Sequence, residues 1–117
     1  CTSVRFAGDV GPAAVREALT SFRSPLAGSG LPSAPDPFLQ VLDAPDAPQP
    51  QRHVDAGGGM TVSVGRIQDC TVSDVKFVLL SHNTVRGAAG GALLNAELLA
   101  DQDRLTPTRA TAATGHS

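Results

Sequence analysis

The pattern of apolar and polar residues predicts two half-buried strands. Residues 2–6 alternate between apolar and polar side chains, and residues 60–67 alternate again. A period of two places every second side chain on the same face of a sheet. In the second strand the pattern turns Met60, Val62 and Val64 inward and Thr61 and Ser63 outward.

Two further strands differ from this alternating type. Residues 74–80 form an almost continuous apolar run, which predicts a strand covered on both faces. Between residues 23 and 51, seven prolines leave room only for a short strand at residues 38–42. A segment so rich in proline is stiff, and we expect it to lie as an arm across a neighbour rather than to carry chemistry.

Helical spacing of apolar residues marks two other segments. Pro12 stands where a helix begins, and Val15, Leu19 and Phe22 recur at i, i+4 and i+7, so residues 13–22 form a predicted helix that packs on a sheet. A second helix covers residues 84–99. Its predicted apolar stripe consists of Ala88, Ala89, Ala92, Leu93, Ala96 and Leu99. Two helices that alternate with about four strands predict an α/β fold.

The second helix begins with an unusual number of glycines. Gly87, Gly90 and Gly91 each cost about 1 kcal/mol relative to alanine inside a helix. The missing side chains must therefore be required, either by a backbone that packs very close or by a ligand. The polar residues 81–84, Ser-His-Asn-Thr, precede the helix and lie beside its free amide donors. This arrangement suits a partner that carries an amide or a phosphate.

Composition and charge exclude several classes of protein. The 117 residues are 41% hydrophobic, which suits one small globular domain. Nine basic and eleven acidic residues give a net charge of −2, and Lys76 is the single lysine, so nucleic-acid binding is unsupported. No apolar run approaches the roughly 20 residues of a spanning helix, and the chain does not start like a signal peptide. We therefore expect a cytoplasmic protein with no membrane partner.

The sequence offers no recognisable nucleophile and no metal site. Cys1 and Cys70 are too few for a disulfide framework, and no Cys-x-x-Cys or His-x-x-x-His spacing indicates zinc. Cys1 opens an alternating strand and Cys70 lies in a polar connection without a nearby base, so we expect both thiols to be inert. Residues 106–117 lack periodicity and are predicted to be disordered, with His116 solvated.

Four segments, in a fixed order, resemble the aspartate-β-semialdehyde dehydrogenases of the fungal and archaeal type. They are Pro-Gln-Pro-Gln-Arg at residues 48–52, the glycine run at residues 57–59, Thr-Val-Ser-Val-Gly-Arg-Ile at residues 61–67, and the stretch at residues 81–99 that begins Ser-His-Asn-Thr-Val-Arg-Gly. The resemblance covers residues 30–104 and is looser over residues 1–22.

The resemblance implies an activity and a place in the enzyme. The family carries out the NADPH-dependent reductive dephosphorylation of β-aspartyl phosphate to aspartate β-semialdehyde, a step towards lysine, methionine and threonine. This chain would be a carboxyl-terminal fragment that lacks the catalytic cysteine and histidine. Residues 1–80 would then belong to the catalytic and dimerisation domain, with a mixed sheet and helices. Residues 81–104 would form the closing helix of a Rossmann-type NADP-binding domain, followed by a disordered tail at residues 105–117.

The resemblance also implies roles for individual residues. It places Asn83 beside the nicotinamide of NADP, with backbone contributions from Gly87 and Ala88, and it assigns no catalytic residue and no metal ligand to this chain. His82 is expected to be a turn residue or a neighbour of the cofactor, because the acid/base of the family lies upstream. Arg66 is expected to form a structural ion pair or an interface contact. The implied partners are the remainder of the enzyme chain and further copies, in a homodimer or homotetramer.

Two other interpretations stay open at this stage. In the first, the chain is a stand-alone, non-catalytic interaction or binding module derived from the same fold. A start codon directly before Cys1 would favour this module, whereas an upstream nucleotide-binding half that contains a cysteine would favour the enzyme. In the second, the chain is an unrelated small α/β domain whose glycine-rich helix packs on its own sheet.

Overall fold

The computed structural model describes residues 1–105 and contains strands and helices in mixed order. The strands are β1 (Thr2–Val4), β2 (Leu39–Val41), β3 (Val62–Asp69) and β4 (Val75–Leu80). The helices are α1 (Pro12–Ser21), α2 (Pro50–His53) and α3 (Gly90–Asp101), with a 3₁₀ turn at Ala56–Gly59 and a π-helical turn at Val85–Ala89. The predicted α/β class is confirmed, and every predicted strand and helix is present.

The four strands form one mixed sheet in the order β1-β4-β3-β2. Strand β4 runs antiparallel to β1 and β3, and β3 runs parallel to β2. The β3–β4 pairing shifts between Gly65 and Gln68, and Arg66 in this bulge has a φ of 53°. The Arg66 guanidinium donates to the Asp46 carbonyl at 2.9 Å. This partner is a backbone carbonyl and not the carboxylate of the expected ion pair, and the alternative of an interface contact stays a prediction.

Helix α1 covers one face of the sheet. It packs over β2 and β3 and buries Val15. Phe22 was expected to join this contact, but the helix ends at Ser21 and Phe22 is 49% exposed in an extended conformation. The Ser21 hydroxyl donates to the Glu17 carbonyl at 2.8 Å, which satisfies an acceptor of the last turn.

The prediction that Thr61 and Ser63 point to solvent is wrong. Both side chains are buried, with exposed fractions of 2% and 0%. The Thr61 hydroxyl donates to the Pro37 carbonyl at 2.6 Å, and the Gln40 amide donates to the Ser63 hydroxyl at 2.7 Å. A buried hydroxyl is tolerated where it has such a partner. The alternating pattern reports the polarity of each side chain. It cannot show whether a neighbouring segment covers the polar face of the strand.

The prediction that β4 is covered on both faces is also wrong within this chain. Lys76 is exposed and Leu79 is 44% exposed, although β4 lies between two other strands. Helix α1 lies towards β2 and β3, and an apolar cleft of about 350 Å³ stays open beside Val4, Phe6 and Phe77. Lys76 and Leu79 lie on opposite faces of the strand, so each face is partly exposed.

The main hydrophobic cluster lies where the proline-rich segment meets α3. The buried members are Leu31, Phe38, Met60 and Leu94. The Glu97 carboxylate on α3 accepts hydrogen bonds from the Ser33 amide at 2.8 Å and from the Ser33 hydroxyl at 2.6 Å. Residues 26–38 of this arm pack on α3 of the same chain, and its position across a neighbour stays a prediction.

Helix α3 buries a different face from the one that spacing predicts. Leu94 is buried and Leu98 packs on the cluster, whereas Leu93 is 55% exposed. Five members of the predicted stripe are exposed, namely Ala88, Ala89, Ala92, Leu93 and Ala96. The helix is apolar on nearly every side, so the period of 3.6 residues cannot select the buried face. These five residues, termed here the outer face of α3, leave apolar surface uncovered by residues 1–105.

The longest helix of the described chain is α3, with 12 residues. Within residues 1–105, no helix combines the length and the apolar character that crossing a membrane requires. The sequence predicts that residues 105–117 are disordered and that His116 is solvated. Residues 106–117, and with them His116, lie outside the described residues.

Candidate functional site

The connection between β4 and α3 is a π-helical turn. The Gly87 amide donates to the His82 carbonyl and the Ala89 amide to the Thr84 carbonyl, each at 3.1 Å and each across five residues. The His82 ring nitrogen Nδ1 accepts a hydrogen bond from the Val85 amide at 3.2 Å, so His82 forms part of this turn. Turns of this kind are rare, and they occur frequently at functional sites.

The π geometry explains two of the three helix glycines. A Cβ on Gly90 would lie 2.5 Å from the Met60 sulfur and 2.8 Å from the Val85 carbonyl oxygen, and a Cβ on Gly91 would lie 2.6 Å from the Arg86 carbonyl oxygen. Carbon atoms cannot approach so closely without displacing their neighbours. The close approach expected from the sequence is therefore made by the Met60 side chain and by carbonyls of the turn itself.

Gly87 is different from the other two helix glycines. A Cβ on Gly87 would lie 3.8 Å from the His82 carbonyl oxygen, which is an ordinary contact. The residue is exposed. Nothing within residues 1–105 therefore requires glycine at this position, and the requirement expected from the sequence would have to come from outside the described chain.

The glycine run at residues 57–59 packs against the same turn. Its three residues have φ values of 60°, 68° and 87°, in the left-handed region that glycine adopts readily. A Cβ on Gly59 would lie 3.1 Å from the Val85 Cβ and 3.3 Å from the His82 Cδ2. Two glycine-rich segments that are distant in sequence therefore form one compact structural unit.

The three residues assigned to the cofactor lie on the outside of this unit. Asn83, Gly87 and Ala88 are all exposed. Gly87 and Ala88 line an open concavity of about 420 Å³, together with Arg86, Gly91, Ala92, Leu94 and Asn95. Asn83 does not line it, and lies in the turn between the end of β4 and the start of the π-helical turn. Gly87 and Ala88 therefore line the same concavity, whereas Asn83 lies outside it, between β4 and the π-helical turn.

Arg86 received no role from the sequence. Its side chain is half-buried, its Cζ lies 5.4 Å from the centroid of the Phe38 ring, and its Nη1 donates to the Met60 carbonyl at 3.2 Å. A guanidinium over an aromatic face is attracted by the ring quadrupole. The signal in the sequence is a lone arginine inside a run of small and apolar residues.

The two cysteines lie away from this turn, and both are free. Cys70 is partly buried in the β3–β4 connection, where its Sγ accepts a hydrogen bond from the Ser73 amide at 3.4 Å. The backbone donors of Ser73 and Val72 lower the pKa of the Cys70 thiol from its ordinary value, because they stabilise the thiolate. Over residues 1–105, His, Cys, Asp and Glu side chains form no group of three that would hold a metal ion.

The lowered pKa predicts a larger thiolate fraction at Cys70 than in an ordinary thiol at the same pH. In a Cys1→Ser background, we expect iodoacetamide to alkylate Cys70 at lower pH than it alkylates glutathione, because the thiolate is the nucleophile. Mass spectrometry of the alkylated protein as a function of time and pH gives the two rate profiles. A Cys70 profile that coincides with the glutathione profile, or lies at higher pH, would contradict the assignment.

The mixed sheet, its covering helix and the glycine-rich turn agree with a known type of domain. The family model described as semialdehyde dehydrogenase, dimerisation domain, matches residues 1–86, and the chain belongs to this family. The resemblance seen in the sequence is confirmed, and the match includes the first strand and helix, where the resemblance was looser. The alternative of an unrelated α/β domain is therefore wrong.

Individual relatives agree with the family match. The chain is 45% identical over 101 residues to the aspartate-semialdehyde dehydrogenase of Aspergillus fumigatus, an alignment of 82% of this chain and 28% of that protein. It is 47% identical over 85 residues to the enzyme of Archaeoglobus fulgidus, an alignment of 73% of this chain and 24% of that protein. The chain thus spans about a quarter of the length of these curated relatives.

A solved structure has the same fold. It is the aspartate semialdehyde dehydrogenase with NADP from Candida albicans, with a TM-score of 0.72 and 41% sequence identity. The superposition covers 85% of this chain and 28% of that one. The mixed α/β architecture is therefore the architecture of the corresponding part of that enzyme.

Proposed function

We propose that this chain is the carboxyl-terminal part of an NADP-dependent aspartate-semialdehyde dehydrogenase. It would supply scaffold, a subunit interface and one wall of the cofactor site. Identities of 41–47% to relatives of that name, over most of this chain, support the assignment. The short share of each relative that is matched supports the view that the other parts of the enzyme lie elsewhere.

The proposed reaction is the reductive dephosphorylation of β-aspartyl phosphate to aspartate β-semialdehyde, in the cytoplasmic synthesis of lysine, methionine and threonine. The cysteine nucleophile and the histidine acid/base of the family would belong to the upstream part, so that these 117 residues alone are not catalytic. The reduced cofactor, NADPH, would supply the hydride when bound. This chain would hold and orient the cofactor and would exclude water from one side of it.

The observation that carries the cofactor assignment is the exposed outer side of the π-helical turn. Gly87 and Ala88 present almost no side chain to the concavity, so a flat ring can approach their backbone closely. The carboxamide of Asn83 is exposed nearby in sequence, and it offers both a donor and an acceptor. The carboxamide of a nicotinamide ring pairs with a donor and an acceptor of this kind. The exposure of all three residues supports the proposed assignment.

The outer face of α3 supports the proposed partners. Leu93 and the neighbouring alanines leave an apolar surface directly beside Gly87, and an exposed apolar helix face is typical of a contact with another part of a protein. We assign this face to the NADP-binding half of the enzyme, which makes α3 the closing helix of that half. The family description as a dimerisation domain supports a second copy as partner, in a homodimer or homotetramer.

Replacing Asn83 with alanine tests the cofactor assignment. In the complete dehydrogenase, we expect Asn83→Ala to lower kcat/KM for NADP about tenfold, or about 1.4 kcal/mol, because the nicotinamide loses its orientation. The melting temperature should not change, since Asn83 is exposed. Steady-state kinetics and thermal unfolding of both proteins give the comparison. Unchanged kinetic constants together with a lowered melting temperature would indicate a purely structural role.

A matched control and a second experiment complete this test. Gln51→Ala removes an exposed carboxamide from α2, and it should change neither the kinetic constants nor the stability. The purified 117-residue chain should show no turnover with aspartate semialdehyde, phosphate and NADP. The genomic sequence upstream of Cys1 separates the two hypotheses. A nucleotide-binding half in the same reading frame supports the enzyme, and a start codon directly before Cys1 supports the stand-alone module.

A further inference from the structure

We propose that Arg86 is a positioning residue, which holds the π-helical turn in the geometry that Asn83, Gly87 and Ala88 need to contact NADP. This inference rests on the proposed function and adds to it a residue that contacts protein and not cofactor. Arg86 lies inside the turn, between the two elements of the proposed wall, Asn83 on one side and Gly87 with Ala88 on the other.

The contacts of the Arg86 side chain connect the turn to the rigid part of the molecule. Its guanidinium lies over the ring of Phe38, and its Nη1 donates to the carbonyl of Met60. Both partners are buried, with exposed fractions of 8% and 6%. Phe38 directly precedes β2, and Met60 lies two residues before β3. Arg86 therefore fixes the turn to the starts of the two parallel strands.

The backbone of Arg86 is held as well. Its carbonyl oxygen faces Gly91, where a Cβ would lie only 2.6 Å away. The neighbouring Val85 packs closely against Gly59, because a Cβ on Gly59 would lie 3.1 Å from the Val85 Cβ. The turn is thus closely packed on its inner side, and its outer side is exposed. A change at Arg86 acts on the outer side through the backbone.

The chemistry of these contacts is specific to arginine. The ion pairs found within residues 1–105 are Arg16 with Asp43 and Arg52 with Asp46, so the Arg86 guanidinium is held by a carbonyl and a ring instead of by a carboxylate. A planar guanidinium can stack on an aromatic ring and donate in its own plane at the same time. A lysine ammonium keeps the charge but cannot reproduce both contacts in one geometry.

A double-mutant cycle in the complete dehydrogenase tests the proposal. We expect Arg86→Gln to lower kcat/KM for NADP about fivefold, and Arg86→Lys to lower it by a smaller factor. The double variant Asn83→Ala/Arg86→Gln should lose clearly less than the fiftyfold product of the two single losses. Once the carboxamide is absent, its misplacement has no further effect, and only the contribution that Arg86 makes through Gly87 and Ala88 is left.

Arg52→Gln is the matched control for this cycle. Arg52 is an exposed arginine in a 3.6 Å surface ion pair, far from the turn in sequence. Arg52→Gln alone should keep the kinetic constants of the parent enzyme, and Arg52→Gln combined with Asn83→Ala should show the kinetic constants of Asn83→Ala alone. Should Arg86→Gln fail to fold, Arg86→Lys carries the same cycle, with the same expectation that its loss does not multiply with that of Asn83→Ala.

Three outcomes would overturn the inference. Losses that multiply to about fiftyfold in the double variant would make Arg86 independent of Asn83. A lowered melting temperature with unchanged kinetic constants in Arg86→Gln would show a structural role only. If Asn83→Ala itself has no kinetic effect, the proposed function fails and this inference fails with it. In the first two outcomes an effect of Asn83→Ala would leave the proposed function in place.

Discussion

Replacing Gly90 with valine is expected to lower the free energy of unfolding by about 3 kcal/mol. A Cβ at this position would lie 2.5 Å from the Met60 sulfur, 2.8 Å from the Val85 carbonyl oxygen and 2.9 Å from the Val85 Cγ1. Overpacking of this kind typically costs about 1–3 kcal/mol, and valine adds two further carbons. The better helix propensity of valine offsets only a few tenths of a kcal/mol.

Urea unfolding of the parent and the Gly90→Val proteins measures this change as a shift in the midpoint at constant slope. Gly87→Ala serves as the control, since it adds a Cβ to a neighbouring glycine of the same turn that has an ordinary contact only. It should be neutral or stabilising by up to about 1 kcal/mol. Equal effects of the two substitutions would mean that the π-helical turn does not constrain Gly90.

Replacing Gly87 with valine is expected to leave the stability of the isolated chain unchanged and to weaken the binding of NADP by the complete enzyme. In the 117-residue chain the free energy of unfolding should barely change, because the His82 carbonyl oxygen is the nearest atom and lies at 3.8 Å. In the complete enzyme the added carbons would occupy the space that we assign to the cofactor. A typical overpacking cost of about 2 kcal/mol corresponds to a loss of roughly thirtyfold in NADP affinity.

Fluorescence titration with NADP and urea unfolding, each applied to the Gly87→Val variant, give the two quantities. The strongest support would be weak binding by an enzyme whose stability is unchanged. If the affinity for NADP stays at the level of the parent enzyme, the outer side of the turn faces solvent, and the placement of Gly87 and Ala88 against the cofactor would be wrong.

The sequence predicts the elements of this fold well and their surroundings less well. The alternation at residues 60–67 predicts the strand that the structure places at Val62–Asp69, yet Ser63 on its polar side is fully buried. The hydroxyl has the Gln40 side chain as partner, and that residue comes from a different strand. Local pattern reports the polarity of a residue, whereas burial also depends on which distant segment covers it.

Helix α3 and the proline-rich segment illustrate the same limit. Nearly all sides of α3 are apolar, so its buried face is decided by the partner and not by the helix. That partner is the segment of residues 26–38, joined to α3 through the pair of hydrogen bonds from Ser33 to Glu97. The proline content predicts that this segment is stiff. Composition does not show which surface the segment packs on.

The candidate site shows which chemical signals can be read directly. The sequence shows an unusual helix start, in which small residues follow a polar turn. The structure explains Gly90 and Gly91, because a Cβ at either position would lie too close to atoms of the π-helical turn. Arg86 could not be assigned from the sequence, because its partners Phe38 and Met60 belong to segments that only the fold brings together. Residues that act through a long-range contact are the ones that sequence reasoning misses.

The pairing of β1 with β4 determines when the sheet can be completed during synthesis. Thr2 pairs with Phe77 and Val4 with Val75, so β1 leaves the ribosome well before its partner strand β4 and must wait for it. The β3–β4 hairpin is local and can close as soon as both strands are available, whereas β1 joins across a long loop with a slow, entropically costly step. Until then, the apolar side chains that β1 brings to the sheet are exposed to the surrounding solution, and exposed apolar surface of this kind favours aggregation of the growing chain.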